Sequence, residues 1–209
     1  TDMPGLMVRF EREQRLPWRT RIATGIIKWC LNNFKKYVFL TEAMNVVNER
    51  KRPYIVMEGM SDRFMATYKR PFEAKDIKVV MYAGGLHERY GLKKLTEAFM
   101  MLPQENFRLK LFGSGPFVEK LKTKYTKKDS RIQYMGVAPN AEVVAAELDA
   151  SLLVNPRPTH EEFTKYSFPS KNIEYMASGT PLLTTKLPGM PKEYYPYVFL
   201  IENESVEGY

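Results

Sequence analysis

Short apolar runs alternate with helical stretches from Ile77 to the end of the chain, and this alternation restricts the possible folds more than any other feature. Runs such as Leu152-Leu-Val154 have no polar residue at alternate positions, which is typical of strands that are buried on both faces. The pattern therefore predicts an α/β domain in which a parallel sheet is covered by helices on both faces. Strands are predicted at 77–83, 107–112, 132–135, 150–155, 181–185 and 197–201, and helices near 91–102, 116–126, 140–148 and 170–178.

The first part of the chain has fewer elements. They are a predicted helix at 18–36, a strand at 37–40, a helix at 42–50 and a strand at 54–57. Residues 59–76, which include Lys69-Arg-Pro71 and charges of alternating sign, are typical of a linker. We therefore expect two domains, at 1–58 and 77–209, with residues 59–76 between them.

Glycines follow two of the predicted strands. In open parallel sheets ligands bind beyond the carboxyl ends of the strands. Gly84 and Gly85 follow the first strand of the second domain, where the absence of a Cβ lets the backbone approach a phosphate. A tight turn without a ligand is the alternative. Gly113-Ser-Gly115 lacks the third glycine of the dinucleotide fingerprint, which argues against NAD.

The stretch from Ser167 to Pro181 predicts a helix with a sharp start and a sharp end. Pro169 and Ser170 favour a helix start, because proline lacks only a donor that would have no partner there and serine can cap. Gly179 suits the left-handed position after the last turn, and the following proline prevents continuation.

The first turns of this helix carry charges that suit a nucleotide. The free amides at a helix start form an anion site, and Lys171 adds a positive charge beside it. Glu174 lies about 6 Å beyond Ser170 along the axis, at roughly 1.5 Å per residue. This spacing fits a phosphate at the helix start and a sugar hydroxyl at Glu174. A capped amphipathic helix with a solvated Glu174 is the alternative.

Composition restricts the partners and the cellular setting. The formal charge of +8 favours anionic partners, which include nucleotide sugars, anionic lipid surfaces and nucleic acid. Most aromatic residues lie inside apolar runs, so the exposed stacking surfaces of a nucleic-acid binder are not indicated. Cys30 is the only cysteine, which excludes a disulfide framework and fits a reducing cytosol. His87 and His160 have no partner at metal-ligand spacing, so we expect no metal.

The helix predicted at 18–36 has two interpretations. Apolar residues recur at spacings of three and four, and the remainder is basic, which is typical of a helix lying in a membrane interface. A helix packed on its own sheet has the same pattern. No run approaches the roughly 20 apolar residues that span a bilayer.

Several segments together resemble one family. The chain is similar to the retaining GT-B glycosyltransferases of family four, which build polysaccharides and glycolipids. The segments that carry this resemblance, in the order of the family, are Tyr37–Met44, Val56–Asp62, Val80–Leu92, Leu111–Pro116, Ile132–Gly136, Ser151–Arg157 and Ser167–Pro181.

The resemblance implies a GT-B fold, with a Rossmann-like parallel sheet in the nucleotide-sugar-binding domain at 77–209. A complete enzyme of this family needs two such domains, so we expect the chain to be an internal piece with an incomplete first domain. The implied activity is transfer of a sugar from a nucleotide sugar to a saccharide or lipid-linked acceptor. We expect no cofactor and a cytoplasmic location, with peripheral membrane contact through 18–36 as a further option.

Three positions depart from the family pattern. The family motif has two glutamates, of which Glu174 matches the second while Tyr166 occupies the place of the first. Gly85 stands where an arginine often follows a glycine, and Tyr90 stands where a lysine commonly precedes Gly91. The usual cations for the diphosphate are thus missing from their usual places. A non-catalytic, degenerate nucleotide-binding domain is therefore the alternative function.

The predicted donor site rests on the pattern of residues and on the family resemblance together. We expect Arg89 or Lys171 to supply the missing positive charge and Glu174 to accept the ribose hydroxyls. Catalysis would come from stabilising the departing nucleoside diphosphate, which needs aligned donors rather than a nucleophile. No side chain is predicted as a catalytic base. The full predicted donor-binding set is Gly84, Gly85, Arg89, Gly113, Ser170, Lys171 and Glu174.

Overall fold

A computed structural model describes residues 3–63, 65 and 75–209. Its helices are α1 (Met3–Glu11), α2 (Trp18–Leu31), α3 (Leu92–Met101), α4 (Phe117–Lys120), α5 (Thr126–Lys128), α6 (Asn140–Asp149) and α7 (Ser170–Ser178). Its strands are β1 (Tyr37–Phe39), β2 (Tyr54–Val56), β3 (Lys78–Ala83), β4 (Phe107–Phe112), β5 (Ile132–Gly136), β6 (Leu152–Asn155), β7 (Leu182–Thr185) and β8 (Phe199–Ile201). A π-helical stretch, Leu121–Tyr125, joins α4 to α5.

The main sheet has six parallel strands in the order β5-β4-β3-β6-β7-β8. Strand β3 pairs with β4 on one side, with Tyr82 opposite Leu111, and with β6 on the other, with Met81 opposite Leu153. This is the doubly wound order, in which the chain reverses its direction of winding after the third strand. The reversal places the topological switch point between β3 and β6.

Both faces of the sheet are packed, as the apolar strands predict. Successive residues of β3 point to opposite faces: Met81 joins one apolar cluster and Tyr82 joins the other. Helix α3 covers the Tyr82 face with Leu92 and Phe99, and α7 covers the Met81 face with Tyr175. The predicted α/β class, with a parallel sheet between two helical layers, is confirmed.

The chain divides into two compact units. The first contains Thr1–Gly59, Thr159–Ser170 and Leu187–Met190, and the second contains Met60–Pro158, Lys171–Lys186 and Pro191–Tyr209. The predicted boundaries at 58 and 76 stay predictions, and residues 64 and 66–74 of the predicted linker lie outside the described residues.

The first unit has its own parallel strand pair and its own core. Strand β1 pairs with β2, with Tyr37 opposite Tyr54. Leu6, Phe10, Phe39 and Tyr166 are buried together. The helix predicted at 18–36 ends earlier, at Leu31, and that predicted at 42–50 forms a 3₁₀ helix over Glu42–Val47.

Candidate functional site

The switch point brings two loops to one edge of the six-stranded sheet. Strand β3 ends at Ala83 and is followed by Gly84 and Gly85, while β6 ends at Asn155 and is followed by Pro156 and Arg157. At a switch point the two loops leave the sheet on opposite faces, which opens a crevice beyond the carboxyl ends of the strands. The second unit is therefore expected to bind a ligand at this edge of the sheet.

Close packing of strand ends explains one of the predicted glycines. Gly113 follows β4 and adopts φ = 121°. A Cβ at Gly113 would lie 1.9 Å from the carbonyl oxygen of Gly84, so any larger residue would push the two loops apart. Gly113 is thus needed for the fold whether or not a phosphate binds. Gly85 is exposed, and its carbonyl accepts a 3.1 Å hydrogen bond from the Tyr82 hydroxyl.

A buried polar network fixes the first turn of α7 at the same edge of the sheet. The Asn172 side chain is fully buried and accepts a 2.6 Å hydrogen bond from the Asn155 amide at the end of β6. The Thr184 hydroxyl of β7 donates to the Asn155 carbonyl at 3.2 Å. The sequence gives no sign of this network, because an asparagine in a first helical turn is equally common on exposed surfaces. The start of α7 therefore lies at the carboxyl ends of β6 and β7.

Tyr175 attaches α7 to the end of β3. The hydroxyl of this fully buried residue accepts a 2.9 Å hydrogen bond from the Ala83 amide. Burial raises the pKa of Tyr175 well above its usual value, so the phenol stays protonated. The helix start is thus held by β3 and β6, the two strands that flank the switch point.

Lys171 and Glu174 pair with each other. The Lys171 ammonium lies 3.0 Å from the Glu174 carboxylate and 3.7 Å from the carboxylate of Glu147 on α6. Glu147 is fully buried, and burial, reinforced by the charge of Glu174, raises its pKa to about 7. The positive charge expected beside the helix start is therefore shared by two carboxyl groups.

A second group of cations surrounds Tyr90. The Cζ atom of Arg89 lies 5.1 Å from the centroid of the Tyr90 ring, and that of Arg157 lies 4.7 Å from it. The His87 ring packs edge-on against the same ring, with 5.1 Å between centroids. Tyr90, which stands where the family commonly has a lysine, is thus the aromatic support of two arginines.

Tyr166 occupies the place of the family's first glutamate and is a core residue of the first unit. It is fully buried with Met7 and Phe10. In the neighbouring loop Glu162 pairs with Arg12 of the same unit, and His160 is exposed.

The predicted donor-site residues fall into three groups. Gly84, Gly85 and Gly113 lie together at the ends of β3 and β4; Arg89 lies on Tyr90; Ser170, Lys171 and Glu174 lie on the first turns of α7. Ser170 and Arg89 are exposed, while Lys171 and Glu174 are half-buried. Their roles toward a ligand stay predictions. Arg157, which is not in the predicted set, lies over the same Tyr90 ring as Arg89.

Two negative findings, on metal sites and on membrane-spanning helices, hold for the described part of the chain. In residues 3–63, 65 and 75–209 no group of three or more His, Cys, Asp or Glu side chains is arranged to hold a metal ion. Over the same residues no helix is both long and apolar enough to cross a bilayer.

Comparison with known proteins gives one family and many similar folds. Residues 77–209 match the family model described as "Glycosyl transferases group 1". A curated Escherichia coli (strain K12) protein, named for colanic acid biosynthesis as the glycosyltransferase WcaL, is 30% identical over 112 residues, which cover 51% of this chain and 27% of that protein.

Two solved structures illustrate the likeness of fold. Sucrose-phosphate synthase from Thermosynechococcus elongatus superposes with a TM-score of 0.67 at 20% identity, over 92% of this chain and 51% of that one. S. aureus TarM, solved with fondaparinux, α-GlcNAc-glycerol and UDP, gives 0.61 at 14% identity, over 87% and 36%. The chain thus spans about a quarter of the curated relative and about half or less of these solved chains.

Proposed function

Because the chain belongs to the glycosyl transferases of group 1, we propose that it transfers a sugar from a nucleotide-sugar donor to a saccharide or lipid-linked acceptor. We further propose that the anomeric configuration is retained and that the product enters a polysaccharide or glycolipid. The observation that carries the proposal is the start of α7, which Asn172 and Tyr175 fix at the ligand edge of the sheet. The UDP in the S. aureus TarM complex supports a nucleotide ligand for this fold.

The donor binds along the crevice between the loops after β3 and β6. The amides at the start of α7 contact the diphosphate, since a helix start carries partial positive charge. The Gly84–Gly85 loop approaches the same phosphates, and Gly85 is exposed and has no Cβ to prevent close contact. Glu174, one turn deeper along α7, accepts the ribose hydroxyls in exchange for part of its pairing with Lys171.

Catalysis follows from the same contacts. Departure of the nucleoside diphosphate places negative charge on its oxygens, and fixed donors that already point there lower the barrier. The burial of Asn172 and Tyr175 makes α7 a rigid support for such donors. No side chain of the chain is assigned as a general base.

Substitution of Glu174 tests the donor site. Glu174→Gln keeps the size of the side chain and removes its charge, so we expect about tenfold weaker binding of a nucleoside diphosphate, from the loss of charge-assisted hydrogen bonds. Titration calorimetry with UDP, GDP and ADP measures it, with the exposed Glu142→Gln on α6 as the matched control. Unchanged affinity in Glu174→Gln would remove the ribose role.

The alternative is a degenerate domain that binds no donor, for which the departures at Gly85, Tyr90 and Tyr166 are the argument. The same titrations on the parent chain distinguish the sugar transferase from the degenerate domain. Binding of one of the three nucleotides with a preference for its base supports the transferase. No binding of any of them, with the fold intact by circular dichroism, supports the degenerate domain.

Peripheral membrane contact is a further part of the proposal, supported by α2. Its large apolar side chains are exposed: Trp18 by 66%, Ile22 by 56% and Trp29 by 65%. Arg19 and Arg21 are exposed on the same helix, so an anionic lipid surface complements it in charge as well as in polarity. Sedimentation with vesicles of anionic and of neutral lipid tests this contact. Equal recovery with both vesicles, or with none, would contradict it.

A further inference from the structure

Arg157 lies beside the positions from which the usual diphosphate cations are missing. We propose that Arg157 binds the diphosphate of the donor and that Tyr90 positions its guanidinium, in place of the cations that the family has at positions 85 and 90. The inference rests on the proposed function, since it names a residue of the same donor site. It goes beyond that proposal because neither the motifs nor the comparisons assign a role to Arg157.

The backbone of Arg157 is held from several sides. The Thr185 hydroxyl donates to the Arg157 carbonyl, and the Tyr209 hydroxyl donates to the Pro156 carbonyl at 2.7 Å. A Cβ on Gly91, which has φ = 84°, would lie 1.8 Å from the Pro156 carbonyl oxygen. The loop after β6 therefore packs on the end of the loop after β3 at Gly91, and the root of the Arg157 side chain is fixed.

The guanidinium lies over the Tyr90 ring, next to the switch point. It is 4.7 Å from the centroid of the Tyr90 ring, and that of Arg89 is 5.1 Å from the same centroid, so the two charges are at most about 10 Å apart. Two like charges fixed this close attract an anion into the crevice that they border. An arginine also offers paired N–H groups that match phosphate oxygens, which an ammonium does not.

The charge of Arg157 reaches the predicted phosphate loop. Burial raises the pKa of Tyr82 to about 12, and the positive charge of Arg157 opposes this rise. The Tyr82 hydroxyl in turn donates to the Gly85 carbonyl at 3.1 Å. The field of Arg157 therefore acts on the side chain that supports Gly85, which agrees with a position beside the bound phosphates.

A purely structural role for Arg157, as a contact of Tyr90, predicts a different result from the one expected here. If the guanidinium binds phosphate, its removal weakens binding in proportion to the number of phosphates on the ligand. If it only supports the loops, its removal weakens nucleoside and nucleotide alike, or neither. The ligand series therefore separates the two roles.

The experiment is titration calorimetry on the full chain with whichever of UDP, GDP and ADP binds, together with its monophosphate and its nucleoside. Arg157→Ala is expected to weaken binding of the diphosphate about 10- to 100-fold, as loss of a charged hydrogen-bond donor implies. Binding of the nucleoside is expected to stay unchanged. Arg157→Lys is expected to give an intermediate loss. The matched control is Arg108→Ala, at the opposite, amino end of β4, with no loss expected.

A rescue variant completes the test. Adding Tyr90→Lys to Arg157→Ala restores a cation where the family commonly has one, and we expect it to recover at least tenfold in diphosphate affinity. Equal losses for diphosphate and nucleoside, or a full diphosphate affinity in Arg157→Ala, would overturn the role of Arg157 and leave the proposed function standing. Binding of none of the nucleotides by the parent chain would overturn the proposed function, and this inference with it.

Discussion

Two cationic side chains of the second unit, Lys171 and Arg157, are held in opposite ways. Carboxylates hold Lys171: Glu174 lies 3.0 Å from its ammonium and the buried Glu147 lies 3.7 Å from it. An aromatic ring holds Arg157, whose Cζ atom is 4.7 Å from the centroid of Tyr90. A carboxylate pairs with a cation through its charge, whereas a ring face contacts a guanidinium and orients it.

The difference decides which cation is suited to a phosphate. An anion that binds Lys171 competes with two carboxyl groups for the same ammonium. The cost of separating the existing ion pair therefore offsets much of the attraction between the anion and Lys171. An anion that binds Arg157 need not displace the Tyr90 ring, which contacts the face of the guanidinium. The sequence pointed to Arg89 or Lys171 for the missing charge, and the packing points to Arg157.

The largest expected effect concerns Glu147, one of the two carboxyl groups near Lys171. Burial raises the pKa of Glu147 from 4.5 to about 7, so the folded chain holds this proton more tightly than the unfolded chain. The stabilisation from Glu147 is therefore complete below pH 4.5 and is lost as the pH rises to 7, by about 3 kcal/mol in the free energy of unfolding. Glu147→Gln removes this loss, so it is expected to be more stable than the parent at pH 8.

Urea unfolding of the parent and of Glu147→Gln at pH 5 and pH 8 measures the effect. The exposed Glu142→Gln on the same helix is the control for removal of a carboxylate. The same fall in stability with pH in the parent and in Glu147→Gln would show that the carboxyl group of Glu147 is not the cause.

The next effect concerns the support that carries Lys171 and Glu174. Tyr175→Phe leaves the Ala83 amide without the hydroxyl that accepts its hydrogen bond, so we expect a loss of about 1–3 kcal/mol in unfolding free energy. Tyr197→Phe is the control for removal of a tyrosine hydroxyl. Its side chain is 76% exposed, so a change of at most about 0.5 kcal/mol is expected. Equal losses in the two variants would show that the bond to β3 adds nothing to stability.

The smallest expected effect is that of Lys171→Gln on nucleotide binding, which is compared directly with that of Arg157→Ala. Lys171→Gln is expected to weaken binding of a nucleoside diphosphate by no more than about fivefold, because the Lys171 ammonium is already paired with Glu174. This loss is smaller than the one expected for Arg157→Ala. Titration calorimetry on the two variants with the same nucleotide gives the ranking. A greater loss in Lys171→Gln than in Arg157→Ala would reverse the comparison.

Local patterns were enough to predict the elements of the second unit. Strand β4 and helix α7 have the predicted bounds, 107–112 and 170–178. Apolar residues at 107, 109, 111 and 112 mark the strand although Arg108 and Lys110 alternate with them, and the helix end carries its own stop residues. Gly179 has the predicted left-handed conformation, with φ = 74°.

Contacts between distant segments were beyond local patterns. Arg157 reaches Tyr90 because β6 pairs with β3, and nothing near either residue in the sequence specifies that pairing. Lys171 meets Glu147 because α6 and α7 cover the same face of the sheet. The departures from the family pattern showed that cations were missing, and only the strand order showed which residue stands beside the missing positions.

Amide hydrogen exchange tests the central claim most directly, since it shows where a nucleotide binds on the chain. The chain is exchanged with and without a saturating concentration of whichever of UDP, GDP and ADP binds. We expect slower exchange in peptides that contain Gly84–Gly85, Arg157 and the first turn of α7, because a bound diphosphate covers these amides. Slower exchange confined to other parts of the chain, with these three peptides unchanged, would contradict a donor site at the switch point.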